Sequence, residues 1–141
     1  MPWRVRIHDD RPVVELHYSG RLGLPELRES IKATQAALVR AGTALLLTDC
    51  RLIEGGHSMT DLYDLMEEVT GSGMRGHLRE ALLLPLNPGD QERARFWETV
   101  GLNNGVTVRT FQDRDAALSW LAQGAGTTPL VPGKPGASLR R

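Results

Sequence analysis

Two short apolar runs constrain this chain more than any other feature. ALLLTD occupies residues 44–49 and ALLLPL occupies residues 81–86. Neither alternates polar with apolar residues. Short continuous apolar runs suit parallel strands covered on both faces. Each is followed by a helical pattern, SMTDLYDLMEEV from Ser58 and DQERARFWETV from Asp90. Strands alternating with helices imply right-handed crossovers and a mostly parallel sheet with helices against it.

The flanking segments extend this rhythm. WRVRIH alternates apolar Trp3, Val5 and Ile7 with polar Arg4, Arg6 and His8, as a strand with one wet face does. DDRP is a turn signal, and VVELHY follows with Val14, Leu16 and Tyr18 on one face and Glu15 and His17 on the other. So short a connection predicts an antiparallel hairpin, with Arg4 and Arg6 across from Glu15 and His17 and the hairpin histidines exposed. Pro25 suits a first helical turn. Leu24, Leu27, Ile31 and Leu38 recur at helical spacing, and Gly42 fits a C-cap. VTVRTF is a final strand with Val106 and Val108 inward. DRDAALSWLAQ is a final helix capped by Asp113, with Ala117, Trp120 and Leu121 on its buried side. The predicted order is ββαβαβαβα: one small α/β domain, mostly parallel, with an antiparallel N-terminal hairpin strand and helices against the sheet. The domain is expected over residues 1–122, followed by a Gly/Pro-rich tail over 123–141.

Composition narrows the function classes. Lys+Arg and Asp+Glu both number 17, so no net charge draws the chain to nucleic acid or an anionic membrane. The single cysteine, Cys50, cannot form an internal disulfide. MPWRVRIHDD has no apolar signal region, and no apolar run approaches the roughly 20 residues of a membrane span. A cytoplasmic protein is expected.

Three stretches together resemble the SpoIIAA-like family, a STAS/SEC14-type group. VVELHYSGRLGLPELRESI resembles the opening of a STAS domain. ALLLTDCRLIEGG resembles the strand with a Leu-Leu-x-Asp-x-Arg-x-x-x-Gly pattern, and VRTFQDRDAALSWLAQ resembles the ending. The likeness covers Trp3 to Ala122. It implies one of two activities: holding a lipophilic small molecule between the sheet and mobile helices, or switching partners through a phosphorylated serine at the helix start after the third strand. Ser58 stands at that place in GGHSMTD, with His57 where antagonists of this kind carry aspartate.

The residues themselves offer several sites. Cys50 lies at the carboxyl edge of a parallel strand, where α/β ligand sites form. His57 could act as its base, with Asp61 or Glu54 to orient the histidine, but no wider catalytic motif surrounds them. His8, His17, His57 and His77 show no metal-ligand spacing, and nothing calls for a cofactor. Ser58 and Asp61 match a capping box, and a phosphate on Ser58 would also suit a helix N-terminus. Asp90 in NPGDQER reads as a second cap. GSGMRGHLR, residues 71–79, reads as a bend. Leu62, Tyr63, Met66 and Val69 form an apolar stripe with Met59, suited to core packing or to a lid over an apolar pocket. Trp97 and Trp120 read as core residues.

The expectation is a non-enzymatic STAS-like binding or regulatory module. Its ligand or partner site comprises Cys50, Leu62, Tyr63 and Met66 and takes an apolar small molecule or a protein. The alternatives are a Ser58 phosphoswitch and a small enzyme using Cys50 and His57. A homodimer, where formed, is expected to use helix faces, because Arg4, Arg6 and His8 guard the edge strand.

Overall fold

The computed structural model describes residues 2–73 and 77–124. The tail lies outside it from residue 125, as do residues 74–76 of the expected bend. The elements are β1 (Trp3–Ile7), β2 (Val14–Gly20), α1 (Leu24–Ala41), β3 (Leu45–Ile53), α2 (Met59–Gly71), β4 (Arg79–Leu83), α3 (Pro88–Asn103), β5 (Thr107–Phe111) and α4 (Arg114–Ala122). One five-stranded sheet runs in the order β1-β2-β3-β4-β5, with β1 antiparallel to β2 and every other pair parallel. This is the expected ββαβαβαβα order. In the hairpin Arg4 pairs with His17 and Arg6 with Glu15.

Sequential strand order decides where the helices go. Each parallel step runs the same way across the sheet, so right-handed crossovers deliver α1, α2 and α3 to one face. There they cover Val14, Leu16, Leu46, Leu82 and Val108. Beyond the last strand no crossover constrains α4, and it packs on the other face, with Ala117 and Leu121 against Leu45, Leu47, Ala81 and Leu83. Strands β3 and β4 are therefore covered on both sides, which is why their sequences do not alternate.

Helix ends follow local chemistry. Gly42 ends α1 at φ 66°, a left-handed conformation that glycine adopts without strain. Asp113 caps α4 by accepting from the Ala116 amide. The cap of α3 is a correction: Asn87 accepts from the amides of Gly89 and Asp90, while Asp90 is buried and takes an ion pair from Arg93. Asn87 directly before Pro88 carries that signal in the sequence.

Three further expectations change. The second face of β2 is not wet. Glu15 is buried, bonded by both terminal nitrogens of Arg114 at 2.9 Å, by His8 Nε2 at 2.9 Å and by Arg6 at 3.2 Å. The His8 side chain is thereby covered too, against the exposed hairpin expected of it. Strand β4 begins at Arg79 rather than Ala81, so Glu80 lies inside it. Trp97 is a core residue, whereas Trp120 is half-buried, its ring stacked beneath the Arg79 guanidinium at 3.8 Å and 5.6 Å from Phe111.

Candidate ligand cavity between the sheet and three helices

The face that carries α1, α2 and α3 does not close completely. Two rows of side chains cross it, Val14–Leu46–Glu80–Val108 and Leu16–Thr48–Leu82–Thr110. Helices α1 and α3 flank these rows, and α2 lies between them. A cavity of about 80 Å³ remains among the three helices and the sheet. Its wall is chiefly apolar: Leu16, Leu46 and Leu82 from the sheet, Leu27 and Ile31 from α1, Leu62 and Leu65 from α2. One ordered water needs roughly 10–15 Å³, and an apolar cavity of about 150 Å³ admits benzene. The space therefore suits a molecule of a few heavy atoms, and a longer one requires α2 to move outward.

The cavity opens toward the carboxyl edge of the sheet, where the turn after β3 meets the segment before α1. Leu22 donates its amide to Gly55 O at 2.9 Å. His57 Nδ1 lies 2.9 Å from Leu22 O, and because a carbonyl only accepts, that nitrogen carries the proton. Gly56 sits at φ 105°, and a Cβ there would approach the Leu22 backbone to 2.5 Å. Only glycine allows these two loops to cross so closely. Outside them lies a polar vestibule with Arg21, Ser58, Asp61 and Asn87 on its walls. His57, Asp90 and Arg93 border both the vestibule and the cavity.

Polar groups inside the cavity are few and buried. Glu80 accepts from Thr48 Oγ1 at 2.6 Å and from Trp97 Nε1 at 3.0 Å. Burial raises its carboxyl above the usual range, and those two bonds oppose the shift without cancelling it. Tyr18 donates to Ser30 Oγ at 2.5 Å, which passes its own proton to Leu27 O at 2.7 Å. Burial raises the Tyr18 phenol as well. Thr34, one helical turn beyond Ser30, is 1% exposed, and its Oγ1 has no hydrogen-bond partner among the described residues.

The candidate residues divide. Cys50 and Leu62 line the cavity. Met66 is fully buried but sits outside its wall, with its methyl group beside Gly101 of α3. Tyr63 is 48% exposed on the outer side of α2. The structure thus takes Tyr63 and Met66 off the cavity wall. His57 borders the cavity with Cys50, yet its Nδ1 is engaged by Leu22. Burial above all, with the nearby carboxylates of Asp49 and Asp90 adding to it, pushes the Cys50 thiol well above its ordinary pKa. That is the reverse of what activates a thiolate nucleophile. Ser58 is exposed and in a capping box: its Oγ accepts from the Asp61 amide and Asp61 accepts from the Ser58 amide, each at 3.0 Å. Among the described residues no group of three His, Cys, Asp or Glu could hold a metal ion, and no helix is long and apolar enough to cross a membrane. Glu80 and Thr34 are the residues that sequence reasoning missed. A glutamate two positions before Leu82, ahead of an apolar run, was the one available signal for Glu80. Thr34 gave none.

A sequential five-stranded sheet with an antiparallel first strand and this helix placement is a SpoIIAA-like fold. A solved structure of that fold, an uncharacterised protein of the DUF3478 family from Shewanella loihica PV-4, is similar over 84% of this chain and 91% of its own. The TM-score is 0.56 and the identity 17%, a likeness of fold alone. No family model matches the sequence, and no curated protein matches it.

Proposed function

We propose that this protein is a non-catalytic binding module that holds a small apolar molecule in the cavity beneath α2. The observation that carries this reading is the cavity itself: an apolar space inside an otherwise packed core, bordered by the single helix that rests on its two neighbours, α1 and α3. Close packing is the rule in protein interiors, and a void forfeits the contacts its lining would make. A ligand restores them. Its entry moves α2, whose outer surface presents Met59 and Tyr63 to a protein partner. The raised thiol of Cys50 and the engaged ring of His57 support binding over catalysis.

Xenon tests the reading, because it is apolar and small enough for the space. Dissolved xenon should shift the methyl resonances of Leu46, Leu62 and Leu82 saturably. Ala94→Leu, which projects three extra carbons from a lining position, should abolish the effect while the protein stays folded. Methyl shifts of equal size in both proteins would place xenon elsewhere and remove the basis for the proposal.

A further inference from the structure

One buried hydroxyl on the cavity wall has no hydrogen-bond partner among the described residues, and its proton bears on the ligand. Thr34 lines the cavity, is 1% exposed and has no partner for its hydroxyl among the described residues. Such a group costs about 1–3 kcal/mol when nothing bonds to it. Glu80 and Thr48 also line the cavity and are buried together. Among the described residues no cationic side chain contacts the Glu80 carboxyl, whose two bonds come from Thr48 and Trp97. A buried carboxyl without a cation favours its neutral form, in line with the upward direction of its pKa. The neutral pair then has two O–H groups for one mutual bond. If Glu80 donates to Thr48, the threonine proton is left over; if Thr48 donates, the carboxylic proton is. Tyr18 and Ser30 have no free proton, since their chain of donated bonds ends on the Leu27 carbonyl.

We infer that the cavity's ligand is an uncharged apolar molecule bearing a hydrogen-bond acceptor, of the ketone, aldehyde or ester class, whose oxygen bonds to the Thr34 hydroxyl on a wall shared with Glu80 and Thr48. The inference rests on the proposed binding function and specifies its chemistry. A pure hydrocarbon would fill the space but leave these protons unmatched. A carboxylate would add charge beside a carboxyl in a low-dielectric site.

Cyclobutanone and methylenecyclobutane, nearly identical in shape, separate the possibilities. Binding is followed by amide and methyl shifts, and the bound ketone's carbonyl stretch by infrared difference spectroscopy. In the wild-type protein the stretch should lie below its position in an alkane solvent, as for a hydrogen-bonded carbonyl. Thr34→Val, which keeps the side-chain shape, should return the band toward the alkane position. It should also weaken cyclobutanone about fivefold, the size of one net hydrogen bond, and leave methylenecyclobutane unchanged. Glu80→Gln, which donates and cannot ionise, should retain the shifted band. A wild-type band at the alkane position overturns the inference while leaving the cavity a binding site. A shifted band indifferent to Thr34→Val overturns the assignment to Thr34. Failure of both molecules to bind overturns the inference together with the proposed function.

Discussion

Glu15 and Glu80 are both buried carboxyls of the sheet, and their surroundings drive them in opposite directions. At Glu15 burial pushes the pKa up, but bonds from Arg114, His8 and Arg6 outweigh it and hold the group at about 2, against an ordinary 4.5. The folded state thus keeps Glu15 ionised where the unfolded chain would protonate it. Its contribution is fully present above pH 4.5 and is lost as the pH falls toward 2. The gap corresponds to about 3 kcal/mol. Glu15→Gln should destabilise the protein by an amount of that order at pH 6 and flatten the loss of stability between pH 4.5 and 2, measured by urea unfolding at each pH. An unchanged acid slope would mean that the cluster does not control it. Glu80 has the opposite sign. Its folded pKa lies above 4.5, so the unfolded state releases the proton first and stability falls as the pH rises above 4.5. Glu80→Gln should therefore melt higher than wild type at pH 7 and match it at pH 3. A variant that melts lower at pH 7 would show an ionised, stabilising Glu80.

Among the elements, α2 differs from its neighbours. Helices α1 and α3 contact sheet strands directly, while α2 rests chiefly on α1 and α3 over the cavity. Local bonds hold its ends. Ser58 and Asp61 close a reciprocal box at the N-terminus, and Ser72 Oγ donates to Val69 O at 2.6 Å at the C-terminus. Arg28 of α1 chelates Glu68 of α2 on the surface, a pair in solvent that contributes little. Ser58→Ala should cost about 1 kcal/mol in chemical denaturation, and Ser58→Asp should stay close to wild type, since aspartate caps as well as serine does. A loss in Ser58→Asp equal to that in Ser58→Ala would contradict the capping role. In a pull-down with a protein partner, weakening by Ser58→Asp alone would mark Ser58 as a switch.

At the scale of the whole molecule, β1 is an edge strand with Arg4 and Arg6 exposed. Charged side chains on an edge oppose pairing with a second sheet. Any dimer should therefore form through helices, and the β1 amides that do not pair with β2 should exchange rapidly at every protein concentration. Slow exchange of those amides in concentrated samples, with fast exchange in dilute ones, would reveal edge-to-edge assembly instead. Arg114, at the start of α4, reaches Glu15 of β2 across 99 residues of chain.

The sequence by itself determined the order of elements, their caps at Gly42, Ser58 and Asp113, and the doubly covered strands β3 and β4. Those features depend on residues a few positions apart, through helical spacing, backbone conformation and runs of apolar side chains. Only the tertiary structure decided that Glu15 is buried, because its partner lies 99 residues away. It likewise decided that Asp90 pairs with Arg93 beneath an Asn87 cap, and that Tyr63 faces outward while Leu62 faces in. The cavity belongs to the same class. It exists because three helices and a sheet meet without filling the space between them, and its polar wall joins Thr34, Thr48 and Glu80 from three different elements. Periodicity assigns a side chain to a face; what stands across from that face is set by how the elements pack.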